Sequence, residues 1–247
     1  PMYTTDGIYW TAEVELEVPQ EGLTIHYSYQ IEQNGIVIRK EWNNFPRCLF
    51  LSGTPRKKYR INDCWKNIPE QLYLYSSAFT EALLSHPERV DIPQGYKKGL
   101  IIKAYAPRIN KDYCLAICGN QKALGNWDPE KAVLMSDSNF PEWQVELDAS
   151  KLKYPLEYKF ILCHKQERKI DCWEKNPNRY LADPEIKTNE TLVISDRYVY
   201  FDIPIWKGAG IAIPVFSLKS EKSFGVGDFG DLKLMIDWAV NTHQKRS

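Results

Sequence analysis

Trp127, Lys159, Trp173, Glu174 and Asn178 are the residues of this chain whose types and spacing best suit chemistry at a surface. They lie in three short strings: Leu124-Gly125-Asn126-Trp127, then Glu157-Tyr158-Lys159-Phe160, then Trp173-Glu174-Lys175-Asn176-Pro177-Asn178-Arg179. A sugar polymer presents flat patches of C–H groups and rims of hydroxyls. A receptor for it therefore needs exposed flat aromatics beside amide, ammonium and carboxylate groups. Gly125-Asn126 is a turn composition that sets Trp127 at a loop tip, Trp173 opens a polar, proline-bearing turn, and Lys159 interrupts an apolar strand pattern. Large aromatics also pack cores well. On spacing alone, core packing and ligand contact stand level for the two tryptophans.

The elements that must position these groups are strands. The markers Met2, Trp10, Tyr27-Ser28-Tyr29, Trp42 and Arg47 recur in the same order as Met135, Trp143, Tyr158-Lys159-Phe160, Trp173 and Arg179, so the chain holds an internal repeat. Between markers both copies alternate apolar and polar residues, as in Trp10-Thr-Ala-Glu-Val-Glu-Leu-Glu-Val and Trp143-Gln-Val-Glu-Leu, the period of half-buried strands. The second copy has further strands ahead of Met135, at Gly99–Tyr105 and Tyr113–Cys118. The first copy has no counterpart for them and reads as truncated at its N-terminal side.

The three strings resemble the starch-binding modules of carbohydrate-binding module family 20, whose pattern is L-G-x-W, then Y-K-F, then W-E-x-x-P-N-R. The resemblance implies an immunoglobulin-like antiparallel β-sandwich. Its glucan site would be formed by Trp127 and Trp173, with Lys159, Glu174 and Asn178 bonding sugar hydroxyls. A second glucan site of that family uses the tryptophan matching Trp143, with Phe140 nearby; core packing is an equal reading of both residues. In the first copy Trp42 is expected at the place of Trp173. There Ser28 replaces the lysine, and Trp42-Asn-Asn-Phe-Pro-Arg lacks the asparagine, so Trp42 is at most a weaker glucan contact.

Residues 207–232, which include Gly225-Val-Gly-Asp-Phe-Gly230, resemble the opening of the 4-α-glucanotransferases of glycoside hydrolase family 77. One branch of that family carries two tandem starch-binding modules ahead of a (β/α)8 barrel. The glycines also satisfy a G-x-G-x-x-G string, but Asp228 would set a carboxylate where a dinucleotide pyrophosphate approaches the helix, so a nucleotide-binding α/β protein is the weaker rival reading. The expected organisation is mainly β. A first module over 1–75 is followed by a short helix and linker over 76–96, a complete module over 97–203, and a βα unit opening a barrel over 204–247. Within these, a helix is expected from Tyr75 to Ser85, and a strand from Gly210 to Leu218 with a helix from Asp231 to Ala239.

The resemblance implies α-1,4-glucans (starch, glycogen, maltooligosaccharides) as partners. The implied reaction is transfer of a glucan segment to the 4-hydroxyl of an acceptor by retaining double displacement, which needs two carboxyl groups about 5 Å apart on late barrel strands. Asp228 and Asp231 read as loop and helix-start residues, and no catalytic residue is assigned in this chain. A non-enzymatic starch- or glycogen-targeting protein is the alternative. No cofactor or metal is implied: the six cysteines form no CxxC pair. With 32 basic and 32 acidic residues the formal charge is zero, which argues against nucleic acid and acidic membranes as partners. Cys163 and Cys172 could meet across a hairpin, but free thiols in a reducing cytoplasm are the favoured reading.

Overall fold

A computed structural model describes residues 1–53, 57–83, 95–167, 169–203, 211 and 213–242. It comprises two units, Pro1–Asp202 and Ile203–Ser247. The first unit is built from β1 (Leu23–Tyr27), β2 (Gln30–Gln33), β3 (Ile36–Lys40), β4 (Arg47–Leu51), β5 (Lys58–Asn62), β6 (Lys98–Tyr105) and β7 (Tyr113–Gly119). It continues with β8 (Val133–Leu134), β9 (Ser136–Asn139), β10 (Glu142–Asp148), β11 (Leu156–His164), β12 (Ile170–Trp173), β13 (Arg179–Leu181) and β14 (Glu190–Tyr198).

Two sheets form the sandwich. One runs β5-β14-β6-β10-β9; the other runs β12-β11-β7-β8, with β13 also on β11. Leu100, Ile102, Leu115, Ile117, Leu156, Phe160 and Leu192 are buried and make its core, as expected where two sheets bury one face each. The first sheet is mixed, because β14 runs parallel to both β6 and β5.

The expected boundary between residues 75 and 97 does not separate two bodies. Strand β5 of the first repeat extends the second repeat's sheet, with Lys58 to Asn62 pairing Glu190 to Ile194. In that sheet Ile61, Val193 and Ile101 lie side by side across three strands. They face away from Leu100 and Ile102, because strand side chains alternate. Leu49 and Leu51 of β4 pack on this outer face with Ile25 and Tyr59, and β4 is held by β1. A third layer therefore covers part of the sandwich. Polar ties fix it: Lys103 Nζ donates to the Cys48 carbonyl and to Glu142 Oε1, Ser195 Oγ donates to Asp63 Oδ1 at 2.7 Å, and Arg60 pairs with Glu190 at 3.1 Å.

The alternating stretch from Trp10 to Val18 does not form the expected strand; only an isolated bridge joins Tyr3 and Thr11. Its counterpart β10 is held by β6 across seven residue pairs, and no described strand stands ready to do the same for the first repeat. An unpartnered ladder leaves its backbone donors to water. Strands β2 and β3 do form, because Asn34 and Gly35 take φ of 52° and 77°, the left-handed pair that a tight two-residue hairpin requires.

Where a single helix was expected from Tyr75 to Ser85, a 3-10 turn spans Leu72–Tyr75 and a π-helical turn spans Ala78–Leu83. The remainder of that stretch and most of the expected linker lie outside the described residues.

In the second unit, the part of the expected Gly210–Leu218 strand that is described holds a 3-10 turn at Val215–Ser217. Pro214 supplies no N–H for a ladder, and no described strand neighbours it. The expected helix is present within α1 (Phe229–Asn241). Asp228 and Asp231 form a reciprocal capping box at its start. Asp228 Oδ1 accepts from the Gly230 and Asp231 N–H groups, so the glycine string leads into a capped helix whose first donors are already satisfied. A Cβ on Gly227 would lie 2.1 Å from the Val215 carbonyl oxygen, which is why glycine stands there.

Candidate functional site

Register places two of the expected site residues, Trp173 and Lys159, on one face. Ile161 of β11 lies opposite Trp173 of β12, and Lys159 lies opposite Cys118 of β7. Directly opposed residues share a face, and so do residues two apart on one strand. Trp173 and Lys159 therefore stand on the outer face of the second sheet, while Tyr158 and Phe160 point into the core.

Trp127 reaches the same face from the 3-10 segment Lys122–Trp127. Gly125, Asn126 and Trp127 have φ of 82°, 52° and 61°, three consecutive left-handed residues, each of which costs a side-chain-bearing residue about 1–2 kcal/mol. Anchors on both sides hold the loop there. Leu124 is buried, its N–H and that of Asn126 both donate to the Gln121 carbonyl at 2.8 and 3.0 Å, and the Asp128 N–H donates to the Gly125 carbonyl at 2.9 Å. Burial raises the pKa of the Cys118 thiol, and the Trp127 N–H that reaches its sulfur acts in the opposite direction. The outcome is a pair of half-buried indoles, Trp127 and Trp173, with centroids 6.2 Å apart and planes tilted by 47°. Lys159 lies beside Trp173 on this face, and exposed Asn178 precedes β13, where Arg179 pairs with Tyr158.

Glu174 does not join this surface. It is 2% exposed, and its Oε1 accepts from the Phe160 N–H at 2.7 Å and from Arg179 Nη1. Arg179 Nε pairs with Asp196 Oδ2 at 3.1 Å, and Tyr158 Oη donates to the same oxygen at 2.8 Å. Burial raises the pKa of both Glu174 and Asp196, although Arg179 opposes the rise in each. The role carried over for Glu174 as a sugar-hydroxyl partner is corrected: it braces the hairpin that presents Trp173.

Sequence reasoning missed this network, and a signal for it existed in the repeat. Glu41 Oε1 accepts from the Tyr29 N–H, Arg47 pairs with Glu41 and with Asp63, and Tyr27 Oη donates to Asp63. Each contact reproduces one around Glu174, Arg179, Asp196 and Tyr158.

Of the three weaker candidates, Trp143 and Trp42 are buried and Phe140 is half-buried. Trp143 is 0% exposed, its Nε1 donates to the Ala106 carbonyl at 3.3 Å, and Phe140 packs edge-on against it at 6.3 Å. Trp143 therefore forms no outward sugar platform, and half-buried Phe140 leans on its ring. Trp42 is 9% exposed, 4.8 Å from the Tyr75 ring and with Lys66 Nζ 5.5 Å from its centroid. Its expected equivalence to Trp173 is also corrected, because register assigns that place to Lys40, opposite Gln30.

Residues 102–193 match the family profile described as starch binding domain. The match places a starch-binding domain over the second repeat, the one that carries the tilted indoles. Along its length the chain is homologous to a 4-alpha-glucanotransferase, DPE2, of Oryza sativa subsp. japonica, with 26% identity over 257 aligned residues. That alignment takes in 98% of this chain and 26% of the rice protein, so the chain spans about a quarter of that relative's length. Among solved structures, the family 20 module of a maltotetraose-forming amylase from Pseudomonas saccharophila is 18% identical, covering 40% of this chain and 99% of its own at a TM-score of 0.32. A family 15 glucoamylase from Hypocrea jecorina is 23% identical over 46% of this chain and 19% of its own, with a TM-score of 0.35.

Proposed function

We propose that the outer face bearing Trp127, Lys159, Trp173 and Asn178 binds α-1,4-glucans such as starch, glycogen and maltooligosaccharides. The observation that carries this reading is the tilted indole pair. An α-1,4 chain curves, so successive sugar rings are not coplanar, and two platforms set at an angle can each stack on a different ring. Strained left-handed backbone at Trp127 is the kind of cost retained where a side chain must be held for function.

In this reading the chain is the glucan-binding portion of a 4-α-glucanotransferase of glycoside hydrolase family 77. Its two repeats are tandem modules, and its retaining catalytic carboxylates lie outside the chain. The shared Glu–Arg–Asp–Tyr network supports a common origin of the repeats. Residues 204–247 would open the catalytic barrel. A cytoplasmic location fits the six free cysteines, three of them buried.

Retardation in amylopectin gels, with calorimetry on β-cyclodextrin, tests the site. Trp127→Ala or Trp173→Ala should weaken binding about tenfold, and Lys159→Ala should do so by less, because an ammonium gives up water to bond a neutral hydroxyl. Undiminished binding by the Trp127→Ala/Trp173→Ala double variant would refute the reading.

A further inference from the structure

On the reading above, the site extends beyond the indole pair along the second sheet. Strands β12 and β13 both lie on the same edge of β11, with Trp173 opposite Ile161 and Tyr180 opposite Glu157. Ile161, Lys159 and Glu157 alternate onto the outer face, so Trp173 and Tyr180 project on the side where Lys159 stands. Tyr180 is 64% exposed, whereas the residues flanking it, Arg179 and Leu181, are partly covered. At about 3.3 Å per residue, the four-residue interval on β11 sets the two aromatics about 13 Å apart. That interval exceeds one sugar ring; Lys159 stands within it and Glu157 stands beside Tyr180 at its end, an ammonium and a carboxylate, the groups that bond hydroxyl rims. Exposed Asn178 lies two residues before Tyr180, beside the same interval.

We infer that Tyr180 is a further stacking platform, and that the site takes an extended stretch of α-1,4-glucan laid along β11, not only a short segment clasped between Trp127 and Trp173. The backbone under Tyr180 is fixed independently of any ligand. Its strand pairs with β11 through Leu181, Tyr180 and Arg179, and Arg179 is anchored from below by Glu174 and Asp196. A tyrosine on such a strand loses little freedom on binding, which favours its use as a platform.

The test is chain-length dependence, read by calorimetry on the whole chain with maltotriose and maltoheptaose. Tyr180→Ala should weaken maltoheptaose binding about threefold to tenfold while leaving maltotriose unchanged. Tyr180→Phe should retain wild-type binding of both, because stacking needs the ring and not the hydroxyl. An exposed side chain on a paired strand is tolerant of change, and unaltered thermal unfolding of each variant verifies that the fold is kept. If Tyr180→Ala leaves maltoheptaose binding intact, or weakens both sugars equally, the extension is wrong. Trp173→Ala separates the two levels of inference: it should weaken both sugars, and if it weakens neither, the glucan site itself is misplaced.

Discussion

Lys40 occupies in the first repeat the position that Trp173 occupies in the second. Lys40 pairs with Gln30 and Trp173 with Ile161, and the next residue in each hairpin, Glu41 or Glu174, donates its N–H to Tyr29 or Phe160 and accepts that residue's N–H through Oε1. The repeats thus share a brace and differ in what it presents. One carries an indole at that place and the other an ammonium, with Ser28 where the second repeat has Lys159.

Trp42→Ala is accordingly expected to cost stability and not glucan affinity. The ring is buried against Tyr75 beneath Lys66, and removing such a side chain costs about 3–5 kcal/mol. Denaturant unfolding should register the loss, while amylopectin retardation of the folded fraction stays at the wild-type level. A retardation defect as large as that of Trp173→Ala would return Trp42 to the surface.

Gly125→Ala should damage the site without touching a ligand group. The residue has φ of 82°, and an added Cβ would meet the Lys131 carbonyl at 2.9 Å. The backbone conformation alone costs about 1–2 kcal/mol, and relief comes by unwinding the turn that aims Trp127. Glucan affinity should fall as far as in Trp127→Ala. Wild-type affinity in a folded Gly125→Ala chain would show that the turn does not set the ring.

Glu174 and Asp196 give the fold a pH dependence of definite sign. Burial raises the Glu174 pKa in the folded state. Stability from this group is therefore complete below the unfolded value of about 4.3 and is lost as pH rises through the folded value. The stability difference between wild type and Glu174→Gln should narrow as pH rises from about 4 toward neutrality, measured by urea unfolding at each pH. A difference that widens over the same interval contradicts burial as the dominant influence.

Asp231 has the opposite sign. Its carboxylate accepts from Ser220 Oγ, the Asp228 N–H and Ser223 Oγ, and these bonds lower its pKa. The cap they form is present above the unfolded value of about 3.9 and fades as pH falls below it. Amide chemical shifts of the first turn of α1 should move toward coil values on acidification, and Asp231→Asn should reduce that movement, leaving the part that the Asp228 carboxylate contributes. First-turn shifts that hold constant down to about pH 2 would rule out a carboxylate cap.

The sequence by itself determined the pieces whose meaning is local: the glycine turn ahead of Trp127, the Asp228–Asp231 helix start, and the three strings that bring Trp127, Lys159 and Trp173 into one repeat. Each depends on backbone sterics or on neighbours a few residues away, which residue order encodes directly. Tertiary structure decided which aromatics meet water. Alternation shows that a side chain belongs to one of two faces, but not which face another layer covers, so Trp42, Trp143 and Trp173 look alike in the chain and part company only in the fold. It also decided that β5 joins the second repeat's sheet, because a strand's hydrogen-bonding edge leaves no mark in its side-chain pattern. The same is true of Glu174, a charged residue in a polar turn that reads as exposed. Only the arrival of Arg179, with Asp196 behind it, makes its burial affordable.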